Sequence, residues 1–405
     1  MRAFLPIVFL ASAGWSSVVS AAAPAASGQQ LLLPKTDVPV ISINTTMTEI
    51  GALMSGLLSE KVLADPDAAL QRLEQLDQRF RLMEPHTGDR GPAFRISWQT
   101  MVEQIGRARD AVDAGTATPD TLSNLVHGIA SACAGCHTQD DKAQVLSFGR
   151  LTPASGDPLQ QARYHYITRD YADALRLYES WLDTQPRLSW NGPVLDAFEG
   201  ELTIYAQIYR DPDRAIKALK QRLDRSGAGM SKQVRKDIQA WIKGFEDVRK
   251  AKLKAFEPGI ADLDAYARKY ILPHAGVPIA TEEKDKIALL WLRGLVYEYV
   301  QAHPADARMP ELLYWLSVVD RVLDYNFYYS LADLYLRECI TRYPTSDTAE
   351  LCYDEYERYV EFAYSGSSGE FVPAEVRDEL LRLRDILDAA HAATEVPAGA
   401  VPATP

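Results

Sequence analysis

The chain has 405 residues, 47% of them hydrophobic and 24% charged, the balance of an ordinary folded protein with length for more than one domain. Its formal net charge of −12 argues against a nucleic-acid partner, because binding phosphate needs a basic surface. Acidity otherwise points only to solubility and to basic partners.

Residues 1–22 read as a secretory signal. Arg2 precedes an apolar run from Ala3 to Leu10, and an Ala-rich end offers cleavage after Ala21, Ala22 or Ala23. The strongly apolar part is too short to span a bilayer, and no longer run follows. The mature chain is therefore expected in the periplasm, without a membrane span and in an oxidising compartment. Residues 23–44 mix Pro, Ser, Gly and Gln and read as a leader.

Four helical patterns follow within 45–152. The first carries Met47, Ile50, Met54 and Leu57, with Thr46 and Glu49 placed for a capping box. The second opens at Asp65-Pro66, a cap followed by proline at the first helical position. It carries Leu70, Leu73, Leu76, Phe80 and Met83 and ends at Pro85. The third begins near Pro92, with Phe94, Trp98, Met101, Ile105 and Val112. The fourth begins at Thr118-Pro119, with Leu122, Leu125, Ile129, Cys133 and Cys136. Short connections favour antiparallel neighbours, so the expectation is a four-helix bundle.

The fourth pattern closes on Ser131-Ala132-Cys133-Ala134-Gly135-Cys136-His137-Thr138. Two thiols three residues apart share one side of a helix, which suits addition across two vinyl groups of one porphyrin edge. The imidazole next in sequence then lies under the iron as the proximal ligand. A redox dithiol expects a strand before the motif, and none is patterned here. A zinc site needs a further cysteine or histidine pair at suitable spacing, which the chain lacks. The motif thus predicts one covalently attached haem c on Cys133, Cys136 and His137.

Residues 156–365 stay helical but become rich in Tyr and Trp. The segment Ala162–Pro186 resembles a tetratricopeptide repeat, with Ala162, Ala174, Tyr178, Trp181 and Pro186 in place. Looser echoes run from Tyr205 to Ile216 and from Ala332 to Tyr356. Such hairpins bury their apolar faces by stacking. The aromatic run Tyr314, Trp315, Tyr325, Phe327, Tyr328, Tyr329 and Tyr335 reads as stacked core, and the basic run Lys243, Arg249, Lys250, Lys252 and Lys254 as a solvated helix face. Cys339 and Cys352 flank the turn Tyr343-Pro344-Thr345. A helical hairpin brings such positions to disulfide range, and an oxidising compartment favours the bond. Residues 366–391 are expected as a Ser/Gly loop and a terminal helix with Val376, Leu380, Leu383 and Leu387 on one face. Residues 392–405 read as a disordered tail.

The placement of CxxCH in the last helix of a bundle, with Met47-Thr48-Glu49-Ile50-Gly51-Ala52-Leu53-Met54 in the first, resembles the cytochrome c prime family and its low-spin relatives. The resemblance covers about residues 45–140. It implies that Met47, at the start of the first helix, is the sixth haem-iron ligand. Met54, Met83 and Met101 read as packing, and His127 lies on the same helix as His137 and cannot readily reach the opposite haem face. His86 stays open as an alternative, and His165, His274, His303 and His391 fall outside the bundle. Where the family usually has a basic or aromatic residue after CxxCH, this chain has Thr138-Gln139-Asp140-Asp141.

The expectation is an exported, all-α monohaem c-type cytochrome. It transfers electrons with a protein partner docked by the tetratricopeptide-like domain. Two alternatives remain at this point: a five-coordinate gas-binding or sensing haem protein, and a periplasmic scaffold with a structural haem. No distal acid–base pair can be placed, so an enzyme is not expected. Whether two bundles pair into a dimer is left open.

Overall fold

The computed structural model describes residues 42–57, 62, 64–84, 91–118, 121–122, 125–126, 128–130, 158–167, 170–225, 229–276, 281–323, 331–366 and 369–395. All of them belong to one compact unit, residues 41–405. The fold is all-α. Apart from helices, the described residues hold one two-residue antiparallel ladder, β1 (Ser365–Gly366) with β2 (Gly369–Glu370), and an isolated bridge between Leu188 and Met230.

The N-terminal helices are α1 (Ile43–Leu57), α2 (Pro66–Met83) and α3 (Gly91–Asp113). Asp65 caps α2 by accepting a hydrogen bond from the Ala68 N–H at 3.1 Å, with proline at the first helical position as the sequence indicates. The start of α1 differs from expectation. The helix begins at Ile43, and the N–H of Thr45 donates to the Ser42 hydroxyl. The capping box on Thr46 and Glu49 does not form. Thr46 lies buried within the first turns and bonds the Ser42 carbonyl, while Glu49 pairs with Arg79 of α2 at 2.9 Å. An earlier serine offers the same cap, and the chain takes it because the helix then gains a further turn.

Helical residues between 121 and 130 pack beside these three helices. Ile50, Met54, Leu57, Leu73, Leu76, Phe80, Met83, Trp98, Met101, Ile105, Leu122, Val126 and Ile129 form one hydrophobic cluster. Trp98 is its aromatic centre, with its ring 4.4 Å from Phe80 and 5.9 Å from Phe94.

A second, larger cluster runs from Leu159 to Leu387. It is built from α4 (Pro158–Ile167), α5 (Tyr171–Thr184), α6 (Gly192–Thr203), α7 (Pro212–Arg225), α8 (Lys232–Ala251), α9 (Ile260–Tyr266), α10 (Glu283–Ala302), α11 (Met309–Leu323), α12 (Ala332–Arg342), α13 (Asp347–Tyr364) and α14 (Ala374–Glu395). Most of these helices pack on a sequence neighbour, as stacked hairpins do. Short polar side chains start several of them: Asp170 for α5, Asn191 for α6, Ser231 for α8 and Ser346 for α13. The hairpin of α4 and α5 carries Ala162 and Ala174 fully buried at its crossing. Helix α6 runs on into a π-helical turn, Ile204–Tyr209, which ends where Arg210 adopts a left-handed backbone (φ 49°). The expected loose echo at 205–216 is therefore a helix end followed by the start of α7.

Tyr314, Trp315 and Tyr335 are buried, as stacked core requires, while Tyr325, Phe327, Tyr328 and Tyr329 lie outside the described residues. Lys243, Arg249 and Lys250 are exposed on α8, while Lys252 and Lys254, also exposed, lie beyond its end and not on a helix face as expected. Helix α14 buries Leu383 and Leu387 and runs to Glu395, four residues into the segment expected as a disordered tail. Ala392, Ala393, Thr394 and Glu395 can all continue a helix, and the first stop is Pro397. Among the described residues, no helix is long and apolar enough to cross a membrane.

Candidate functional site

The bundle end is assembled from separate stretches of chain. Cys133, Cys136 and His137 lie outside the described residues, as do His86 and His127. The helical stretch that leads to them is anchored: Leu122, Val126, Ile129 and Ala130 are all buried in the bundle cluster, the last of them three residues before Cys133. Met47 packs on the same cluster from its rim and is half-buried. Met54, Met83 and Met101 are buried inside it, 4% exposed or less. Met47 is thus less buried than the other three.

The described histidines are engaged elsewhere. His165 Nδ1 lies 3.1 Å from Asp170 Oδ2, the His303 ring lies 4.3 Å from that of Tyr299, and His391 approaches Glu350 at 3.5 Å. Burial lowers the pKa of His274. His165, Asp170 and Asp173 do converge closely enough to resemble a cation site. However, Arg176 donates twice to Asp173 Oδ1, at 3.1 and 2.9 Å, and Asp170 is the cap of α5. His165 and Asp170 tie α4 to the start of α5, and Arg176 pairs with Asp173.

Sequence reasoning missed a second feature of the bundle. Ser97, Thr100 and Gln104 form a polar strip beside the apolar stripe of α3, and all three are 5% exposed or less. Thr100 satisfies itself by donating to the Ile96 carbonyl at 2.9 Å. Ser97 Oγ, Gln104 Nε2 and the indole Nε1 of neighbouring Trp98 are buried and have no hydrogen-bond partner among the described residues. The signal was readable as three polar residues at helical spacing on a helix whose other positions were assigned to core.

On its other side, α3 faces the helical array. Ile96 joins the array's core, Arg95 pairs with Glu338 of α12, and α3 packs against α10. Across that seam Asp333 of α12 has its pKa raised by burial, opposed by Arg337 and reinforced by Glu103 of α3. A shallow depression of about 470 Å³ opens on the bundle surface between α2 and α3. Its floor is Asp77, whose Oδ2 accepts from Arg81 and Arg109, both at 2.8 Å.

The array carries its own buried charges. Glu201 and Arg222 pair at 3.1 Å, Arg321 and Glu355 at 2.6 Å, and Arg210 holds Glu298 while also donating to the Ala255 carbonyl at 2.7 Å. Burial pushes Glu201 up to about 7 and Glu199, which also faces Asp196, to about 9. Cys339 and Cys352 sit on α12 and α13 either side of the Tyr343–Thr345 turn. Their sulfurs are at disulfide distance, and their Cα atoms are 6.4 Å apart.

No family model, no curated protein and no solved structure matches this chain.

Proposed function

We propose that this chain is an exported monohaem c-type cytochrome that exchanges electrons with a protein partner selected by its helical array. The observation that carries the reading is Cys133-x-x-Cys136-His137, placed directly after a helical stretch whose apolar residues are locked into the bundle core. The chain's own residues suit the group. A closed apolar cluster with Phe80, Met83 and Trp98 offers the ring an apolar wall. Three buried donors on α3 lack acceptors, as is reasonable where a ligand with acceptor groups belongs.

In this reading Cys133 and Cys136 would hold the group by thioethers, and His137 and Met47 would be the side chains offered to its iron. Bound haem supplies a one-electron couple. The protein supplies apolar enclosure, which sets the potential together with the axial ligands. The array, fixed against α3 through Arg95, Glu338 and Ile96, holds the partner surface in a constant relation to the bundle. An acidic chain favours a basic partner.

The test is a ferric and ferrous absorption spectrum of the exported protein, with and without Met47→Ala. The wild type is expected to be low-spin, with weak ferric absorption near the red end and slow ferrous CO binding. Met47→Ala is expected to lose that signature and bind CO rapidly. Rapid CO binding by the untreated wild type overturns the six-coordinate assignment, and a chain without covalent haem overturns the function.

A further inference from the structure

The depression between α2 and α3 is lined by Glu74, Asp77, Gln78, Arg81 and Leu82 of α2 and by Arg109 of α3. The α2 positions recur at three- and four-residue spacing, so they share one face of the helix. The contact of Asp77 with Arg109 turns that face toward α3. A volume of about 470 Å³ falls within the range of small-molecule sites, about 300–1,000 Å³.

The charges that line it do not close on one another. Asp77 is 6% exposed, and both guanidiniums meet the same carboxylate oxygen: Arg81 Nε and Arg109 Nη1 each donate to Oδ2 at 2.8 Å. The other oxygen, Oδ1, is buried with no hydrogen-bond partner among the described residues, and so is Arg109 Nε. A buried carboxylate oxygen is rarely left without a donor, and an arginine that only neutralised Asp77 would fork across both oxygens. Glu74 and Gln78 are exposed, and no hydrogen bond or ion pair engages either among the described residues. The depression therefore presents unused N–H donors on two guanidiniums beside unused carboxylate oxygens, two positive and two negative charges together. A lone anion or a lone cation satisfies half of that set and is repelled by the other half. A ligand with an anionic group and a cationic donor a few bonds apart satisfies both.

We infer that this depression binds a free amino acid, whose carboxylate accepts from Arg81 and Arg109 and whose ammonium group donates to Glu74 and to Asp77 Oδ1. The planar guanidinium fork suits a carboxylate, and charge-assisted hydrogen bonds are the strong ones. Binding gives Asp77 Oδ1 its missing donor and so removes the cost of a buried, unpartnered acceptor. Leu82, 37% exposed at the same edge, gives the ligand's side chain an apolar contact and favours aliphatic amino acids. Arg81 is the movable part. Its side chain is 62% exposed, and an exposed ion pair four residues apart on a helix is weak, so it turns readily from Asp77 to a ligand. With Arg81 on α2 and Arg109 on α3, a bound amino acid ties the two helices together.

The experiment uses the full chain with L-leucine as the probe, read by titration calorimetry and by the ligand-dependent rise in melting temperature. Binding is expected in the wild type and should weaken about tenfold or more in Arg81→Gln and in Glu74→Gln, since each loses a charge-assisted bond. Both residues are exposed, so the variants without ligand should melt with the wild type. L-leucinamide lacks the carboxylate and N-acetyl-L-leucine lacks the ammonium group, and each should bind about tenfold or more weakly than leucine. N-acetyl-L-leucine that binds as tightly as leucine makes the depression a plain anion site and overturns the inference. Leucine binding that survives both substitutions unchanged places the ligand elsewhere and overturns it as well. Should leucine give no signal, a mixture of the common L-amino acids at millimolar concentration decides. A response lost in Arg81→Gln supports the inference, and no response refutes it. None of these readouts involves haem, so they fail or succeed separately from the function proposed above.

Discussion

Arg293 and Asp320 form an ion pair in which neither side chain has any exposed surface. The guanidinium Nε donates to Oδ1 at 2.6 Å, and Asp320 Oδ2 also accepts the backbone N–H of Leu331 at 3.0 Å. One carboxylate thus joins α10, α11 and the start of α12. The pair is not a strong source of net stability, since desolvation offsets much of the attraction, but breaking it strands a buried charge.

Asp320→Ala is therefore expected to destabilise the chain by about 3–5 kcal/mol in chemical denaturation, the usual cost of removing one partner of a buried ion pair. Replacing both residues by apolar ones of similar volume should cost far less. A single variant within about 0.5 kcal/mol of wild type, the range of ordinary surface substitutions, would show that the pair is solvated.

Glu199 gives a pH dependence with a definite sign. Burial and the neighbouring Asp196 raise its carboxyl from the ordinary 4.5 to about 9, so the folded chain holds a proton there that the unfolded chain releases. Stability from this group is full below pH 4.5 and declines as pH rises to about 9, where both states are ionised. Glu199→Gln should flatten the alkaline part of the stability–pH curve between 4.5 and 9. Unchanged slopes in wild type and variant would sink the assignment.

Two helix glycines should respond oppositely to alanine. A Cβ on Gly244 would stand 2.3 Å from the Lys284 carbonyl oxygen and 2.8 Å from Ile287, so α8 and α10 would have to part. Gly244→Ala is expected to cost about 1–3 kcal/mol, as overpacking does. Gly106 in α3 has nothing within 4 Å of the same position. Gly106→Ala should be neutral or stabilising by up to about 1 kcal/mol, the propensity gain alone. Thermal melts of the two variants decide it, and equal shifts in one direction would contradict the packing.

The Cys339–Cys352 pair closes a loop with a sequence separation of 13. In the chain-entropy account such a cross-link is worth about 3 kcal/mol, through restriction of the unfolded chain. Reductant, or Cys339→Ser, should lower the unfolding free energy by that amount, read as an earlier denaturation midpoint, without changing helix content in the folded state. A free-thiol assay on the unfolded, unreduced chain that finds both cysteines reactive would remove the bond.

Much of the local structure was legible in residue order. Asp65-Pro66, the buried stripe Leu73-Leu76-Phe80-Met83 and the stops before Pro85 and Pro186 announce themselves, because caps, helical spacing and proline act over a few residues. The cysteine pair was legible for the same reason, being local to one hairpin. Choices between equivalent local signals were not. Ser42 and Thr46 both offer a cap, and the contact of Glu49 with Arg79 favours the earlier start. Nor was the tail boundary, where nothing before Pro397 stops α14.

By itself, then, the sequence determined the all-α class, the helix limits set by short polar caps and prolines, and the single location of the Cys133-x-x-Cys136-His137 motif. Only tertiary structure decided which polar residues are buried. Nothing in residue order pairs Arg293 with Asp320, sets Asp333 opposite Glu103, or leaves Trp98 and Gln104 without acceptors. Those relations depend on which helix faces which, and that is settled by the packing of whole faces rather than by any residue's own preference.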